Sequence, residues 1–166
     1  MASSRVLIIL LALCVLPALL VEAVPAVPGQ VRYLVIGYVY CDTCHLGCEH
    51  PLVTYIPGAI VKIECKDDKK FTINYSRQGV TDKDGKFTIE VREDHKDDFC
   101  FAVLVSSPKA NCKKIVPGLD RVTAILTNEN GLQETSPYRF VNSMGFEHDV
   151  RGPRCKGLEL MYNSDV

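Results

Sequence analysis

The sequence predicts an all-β fold, an antiparallel sandwich or barrel braced by disulfides. Three observations carry this. Apolar and polar residues alternate over short segments, turn-forming Gly, Asp and Pro residues separate those segments, and no stretch of 12 residues keeps an i, i+3, i+4 apolar stripe with caps.

The first segment, Arg32 to Tyr40, is apolar and β-branched, and Gly37 inside it predicts a bulge or a close approach by a neighbour. Next, Ala59, Val61, Ile63 and Cys65 alternate with Ile60, Lys62 and Glu64, which gives one inward face and a partly charged outer one. Lys70 to Ser76 predicts a shorter strand with partial alternation. Asp82-Lys83-Asp84-Gly85 is a tight turn, predicted as a hairpin with Gly85 in the left-handed conformation. It leads into Lys86 to Arg92, where Phe87, Ile89 and Val91 alternate with Lys86, Thr88 and Glu90. Phe99 to Val105 is apolar on both faces, as a central strand covered on both sides would be. Arg121 to Thr127 places Val122, Ala124 and Leu126 on one face. Weaker strand signals lie at Tyr138 to Val141 and Gly157 to Tyr162. The charged runs Lys66 to Lys70 and Arg92 to Asp98 read as solvated loops.

The N-terminus sets the expected compartment. Arg5 supplies the single cation of a short leader, and an apolar run follows from Val6 to Val21. That run of 16 residues falls short of the roughly 20 that a membrane-spanning helix needs. It ends in small residues at Val21-Glu22-Ala23, so residues 1–23 are expected to be a signal peptide cleaved after Ala23, with Ala26 as a second cleavage option. Residues 24–31 form a Pro/Gly linker, and 32–166 form one β domain. The protein is therefore expected to be secreted and to act outside the cell. Its net charge of −1 gives no electrostatic pull toward nucleic acid or anionic lipid.

Of the eight cysteines, Cys14 lies in the leader. Seven remain, Cys41, Cys44, Cys48, Cys65, Cys100, Cys112 and Cys155, an odd number that predicts three bridges and one leftover thiol. Spacing alone leaves the pairing open. Asn74-Tyr75-Ser76 is the one N-glycosylation sequon and marks Asn74 as a glycan site on an exposed segment.

Several constellations invite chemistry and do not sustain it. Cys41-Asp42-Thr43-Cys44 has redox spacing, but no helix is credible there to stabilise a thiolate. Cys41, Cys44, Cys48 and His50 have the spacing of a zinc site, against which stands the oxidation of secreted thiols. The Asp82–Gly85 turn puts glycine and lysine at the wrong positions for a calcium loop. No nucleophile elbow, H-E-x-x-H motif or pair of acids in an apolar setting is present, and the four histidines, His45, His50, His95 and His148, sit in polar, loop-like contexts. The reading is of a protein that is not an enzyme and takes no metal or cofactor.

Gly37-Tyr38-Val39-Tyr40-Cys41-Asp42-Thr43-Cys44 resembles the signature of the Ole e 1-like family of plant pollen and extensin-related proteins. Further matches follow in order: Ile56-Pro57-Gly58-Ala59, Cys65-Lys66-Asp67, Asp94-His95-Lys96, Phe99-Cys100, Ser106-Ser107, Cys112, Asn142 to Phe146, and Pro153-Arg154-Cys155. The resemblance covers Leu34 to Tyr162. It implies about seven antiparallel strands in a barrel-like or sandwich arrangement with a transthyretin-like character. It also implies disulfides Cys41–Cys112, Cys44–Cys155 and Cys65–Cys100. It implies a secreted, glycosylated, non-catalytic protein of the allergen-containing pollen group, one acting in pollen development or tube growth through a receptor-kinase ectodomain or a wall component. Ile36, His45 and Cys48 depart from the family pattern. Cys48 supplies the odd thiol, either unpaired and buried or bridging two chains into a dimer; otherwise a monomer is expected. Asp42, Thr43, His45 and Glu49 are the candidate binding residues, because flanking bridges would fix their loop. The alternative is a carrier holding a small apolar molecule inside the barrel.

Overall fold

A computed structural model of the chain describes residues 32–129 and 136–163. The expected signal peptide (1–23) and linker (24–31) lie outside these residues. Among the described residues ten strands and one helix follow one another: β1 (Tyr33–Asp42), β2 (Thr54–Tyr55), β3 (Ile60–Asp67), β4 (Ile73–Val80), β5 (Lys86–Val91), β6 (Asp98–Ser106), β7 (Lys114–Ile115), β8 (Arg121–Thr123), β9 (Tyr138–Phe140), β10 (Met144–Glu147) and α1 (Cys155–Asn163). They form two sheets.

The first sheet is built on β1, which is long enough to take four partners. β5 pairs antiparallel along Tyr33–Tyr38 and β9 pairs parallel along Leu34–Ile36. Farther on, β2 pairs antiparallel at Tyr40 and Cys41, and β10 pairs parallel along Val39–Asp42 and carries β7 on its other side. The second sheet is wholly antiparallel, in the order β4-β3-β6-β8. The architecture is thus a sandwich of one mixed and one antiparallel sheet, and the two parallel pairings are its departure from a purely antiparallel expectation.

Alternation decides what is buried. Val35, Val39 and Cys41 of β1, Phe87, Ile89 and Val91 of β5, Val61, Ile63 and Cys65 of β3, and Ala102 and Leu104 of β6 share one core with Met144 and Phe146 of β10. Each such aliphatic or aromatic side chain contributes about 1.5–3 kcal/mol when removed from water. Gly37 fills the close-approach role: a Cβ there would sit 2.7 Å from Phe87 and 2.8 Å from Val141.

Four local expectations need correction. The Asp82–Gly85 turn is not a hairpin, since it joins β4 of one sheet to β5 of the other. Its chemistry is as read: Asp82 accepts the N–H groups of Asp84 and Lys86, and Gly85 has φ +72°. Gly157 to Tyr162 belongs to α1, because Leu158, Glu159, Leu160 and Met161 are good helix formers, and Leu160 and Met161 are exposed. β8 ends at Thr123, although Ala124 and Leu126 remain buried. The outer face of β6 is only partly covered, with Phe99 52% exposed.

Among the described residues no helix is long and apolar enough to cross a membrane.

Candidate functional site

β1 delivers Cys41 and Asp42 to one end of the first sheet, and the chain leaves there as a loop of residues 43–53. Two disulfides hold its start. Cys41 is bonded to Cys112, and Cys44 to Cys155 at the start of α1. The third, Cys65–Cys100, lies across β3 and β6. Three bridges leave Cys48 as a free, partly exposed thiol in the loop. These are the pairs that the family pattern implies.

Asp42 organises the loop from inside. Its carboxylate is fully buried and accepts the backbone N–H groups of Cys44 (3.0 Å) and Gly47 (2.8 Å) and the Nε2–H of His50 (3.1 Å). His50 Nδ1 accepts the Leu52 N–H at 3.1 Å, so the imidazole is the neutral tautomer that donates through Nε2. Burial is the largest single influence on the Asp42 carboxyl and would raise its pKa. The bonds from Gly47, His50, Cys44 and Leu46 together outweigh it and hold the carboxyl below the usual carboxylate range.

The remaining anchors run outward. Thr43 donates its hydroxyl to the Leu52 carbonyl at 2.8 Å. His45, at φ +56°, places Nε2 2.6 Å from the His148 carbonyl, and Tyr55 donates to the Glu49 carboxylate. Beside the loop, Tyr40 is buried, and its phenol is pushed up to about 12 by that burial, reinforced by Asp42, Cys48 and Glu49. A depression of about 560 Å³ opens there, lined by Tyr40, Cys48, Glu49, Leu119, Asn142 and Ser143. A second, of about 220 Å³, lies between Thr43, Leu52, His148, Val150 and Arg154.

The four candidate binding residues therefore separate into two roles. Asp42 is interior and reaches no partner, which corrects its place among surface candidates: its charge is spent on loop N–H groups. Thr43 is half-buried with its hydroxyl committed. Glu49 is exposed and His45 partly so. Asn74 lies elsewhere, exposed on the edge strand β4, where its amide donates to Asp98 Oδ1 at 2.7 Å.

Two of the loop histidines are buried, which the sequence did not signal. His50 is 4% and His95 6% exposed, the latter inside a run expected to be solvated throughout. Arg139 was missed altogether. It is buried, lies 4.6 Å over the Tyr33 ring and donates to Asn128 Oδ1 at 2.6 Å. Its sequence neighbours give no sign of this. The zinc and redox spacings are also accounted for, because the Cys41 and Cys44 sulfurs are bonded to partners outside the motif and both His50 nitrogens are engaged.

The model of the family described as "Pollen protein Ole e 1 like" matches residues 31–163. The chain belongs to the Ole e 1-like family. Among relatives, the pollen-specific protein C13 of Zea mays is 35% identical over 95% of this chain and 89% of its own. Protein DOWNSTREAM OF FLC of Arabidopsis thaliana is 39% identical over 92% and 90%. The crystal structure of the plantain pollen allergen Pla l 1 superposes with a TM-score of 0.65 at 31% identity, covering 75% of this chain and 99% of that one. The names of these relatives denote pollen and plant proteins, and none denotes an enzyme. Within the Ole e 1-like fold the family signature is thus the end of β1 and the first bend of the loop it feeds.

Proposed function

We propose that this protein is exported and acts without catalysis as a recognition ligand at the plant cell surface or wall, in pollen or another reproductive tissue. The partner class that fits is a receptor-kinase ectodomain or a wall component. The observation that carries this reading is the loop at the end of β1. Two disulfides and a buried carboxylate fix it, so Glu49 and His45 are presented with little conformational entropy left to lose on binding. Membership of a family with pollen-named relatives supports the tissue. The interior supports recognition over carriage of a small apolar molecule, since Tyr33, Phe87, Met144 and Phe146 fill the space between the sheets.

The test is a binding screen of the protein against a panel of receptor-kinase ectodomains and wall polysaccharides. Glu49→Lys and His45→Ala should each weaken the captured partner at least about tenfold while the β-sheet circular dichroism of the folded protein is retained. Capture by no member of the panel, or equal binding by both loop variants, would refute the reading. Native mass spectrometry with plant lipids and flavonoids examines the carrier alternative; a stoichiometric complex would favour it.

A further inference from the structure

The Cys65–Cys100 bond differs from the other two in what it holds together. It joins β3 and β6 at residues that are already register partners, within a ladder running from Ile60 to Asp67. It also spans the shortest separation, 35 residues against 71 and 111. In the chain-entropy account a bridge stabilises less as its loop shortens. This bridge therefore adds least, and opening it leaves both sulfurs side by side on strands that stay paired.

His95 lies against it. A ring nitrogen of His95 and the two sulfurs are all within 4.8 Å of one another. The Nδ1 of His95 is 2.8 Å from Asp98 Oδ2, and Tyr75 packs edge-on with ring centroids 4.8 Å apart. Nε2 is buried and has no hydrogen-bond partner. A buried nitrogen left unpaired is costly, and such groups recur where a ligand binds. A carboxylate on the far nitrogen of a histidine is the usual support of a metal-bound imidazole, because it orients the ring and keeps the other nitrogen's lone pair free.

We propose that Cys65, Cys100 and His95 form a zinc site that the disulfide masks and a dithiol reductant opens. The dithiol gives two electrons and two protons: the Cys65–Cys100 bond breaks, both sulfurs become thiols, and the reagent closes its own disulfide. Zinc then displaces the two thiol protons to solvent and takes two thiolates and one neutral imidazole. That donor set leaves no net charge at the ion, which suits a buried site. Soft sulfur ligands select zinc over magnesium or calcium. A cleft of about 180 Å³ lined by His95, Cys100, Ala124 and Leu126 opens beside this cluster.

The experiment is graded reduction of the oxidised protein with dithiothreitol, with alkylation mapping to find the dose that opens Cys65 and Cys100. Cobalt(II) is then titrated in as the probe. The expected result is retained β-sheet circular dichroism and one cobalt per chain, with sulfur-to-cobalt charge-transfer absorption that zinc displaces. His95→Gln and, independently, Asp98→Asn should weaken binding by about 10–100-fold, and Cys65→Ala/Cys100→Ala should abolish it while remaining folded. The proposal is overturned if all three bridges open together, if the sheet unfolds on reduction, or if no charge-transfer band forms. It also fails if the band survives in the double-cysteine variant, or if both single variants bind as the wild type does.

Discussion

Asp42 is a charge placed where no water reaches it, and it is tolerable because the N–H groups of Cys44, Leu46 and Gly47 and the His50 Nε2–H point at it. Asp42→Ala would leave the Cys44 and Gly47 N–H groups and His50 Nε2–H unpaired, and the expected loss is about 3 kcal/mol by urea unfolding. The sign of the acid effect follows from the lowered carboxyl. Its folded pKa lies below its unfolded value of 3.8, so its contribution is complete above 3.8 and is lost as the pH falls through the folded value. The stability gap between wild type and Asp42→Ala should accordingly be constant at neutral pH and shrink on the acid side of 3.8. A gap that widens there would contradict the assignment. Asp42 was legible as a residue between cysteines, but neither as the last residue of β1 nor as a buried one. Its burial depends on His50, eight residues on, and nothing between Leu46 and Pro51 marks that histidine as interior. Gly37 was legible because a glycine amid β-branched residues has few other reasons to be there.

At the scale of elements, the contrast between β5 and α1 shows where pattern reading stops. Phe87, Ile89 and Val91 alternate because a core lies on one side, and the strand is where the pattern puts it. Leu158 and Leu160 flank Glu159 in the same way, yet Leu160 is 74% exposed in a helix. Alternation with no core behind it carries no strand, and only tertiary placement reveals the difference. α1 is nine residues long, below the roughly 12–15 at which an isolated helix holds in water. Its Cys155 is buried and bonded to Cys44, which makes that bond its anchor. In Cys44→Ser/Cys155→Ser, amide exchange over residues 155–163 should rise to coil rates while β1, β3 and β6 stay protected. Global stability should fall by about 2–4 kcal/mol. Protection persisting in α1 would show that packing, not the bridge, holds it.

Across the whole molecule, an antiparallel sandwich or barrel was legible from strand spacing and turn chemistry, the choice between the two was not, and the bridges were legible from the family signature. The parallel pairings of β1 with β9 and β10 were not, because they join segments about a hundred residues apart whose local patterns carry no partner or direction. The same distance explains why His148 was hidden from the loop's setting, which it joins only through the fold. Bridges at Cys41 and Cys44 tie the loop to distant segments, so the presented surface and the sulfur pairing stand or fall together. Peptide mapping of the native, unreduced protein tests this most directly. It should find Cys41–Cys112, Cys44–Cys155 and Cys65–Cys100, with Cys48 alone open to alkylation. A different pairing, or Cys41 and Cys44 recovered as free thiols, would contradict the account.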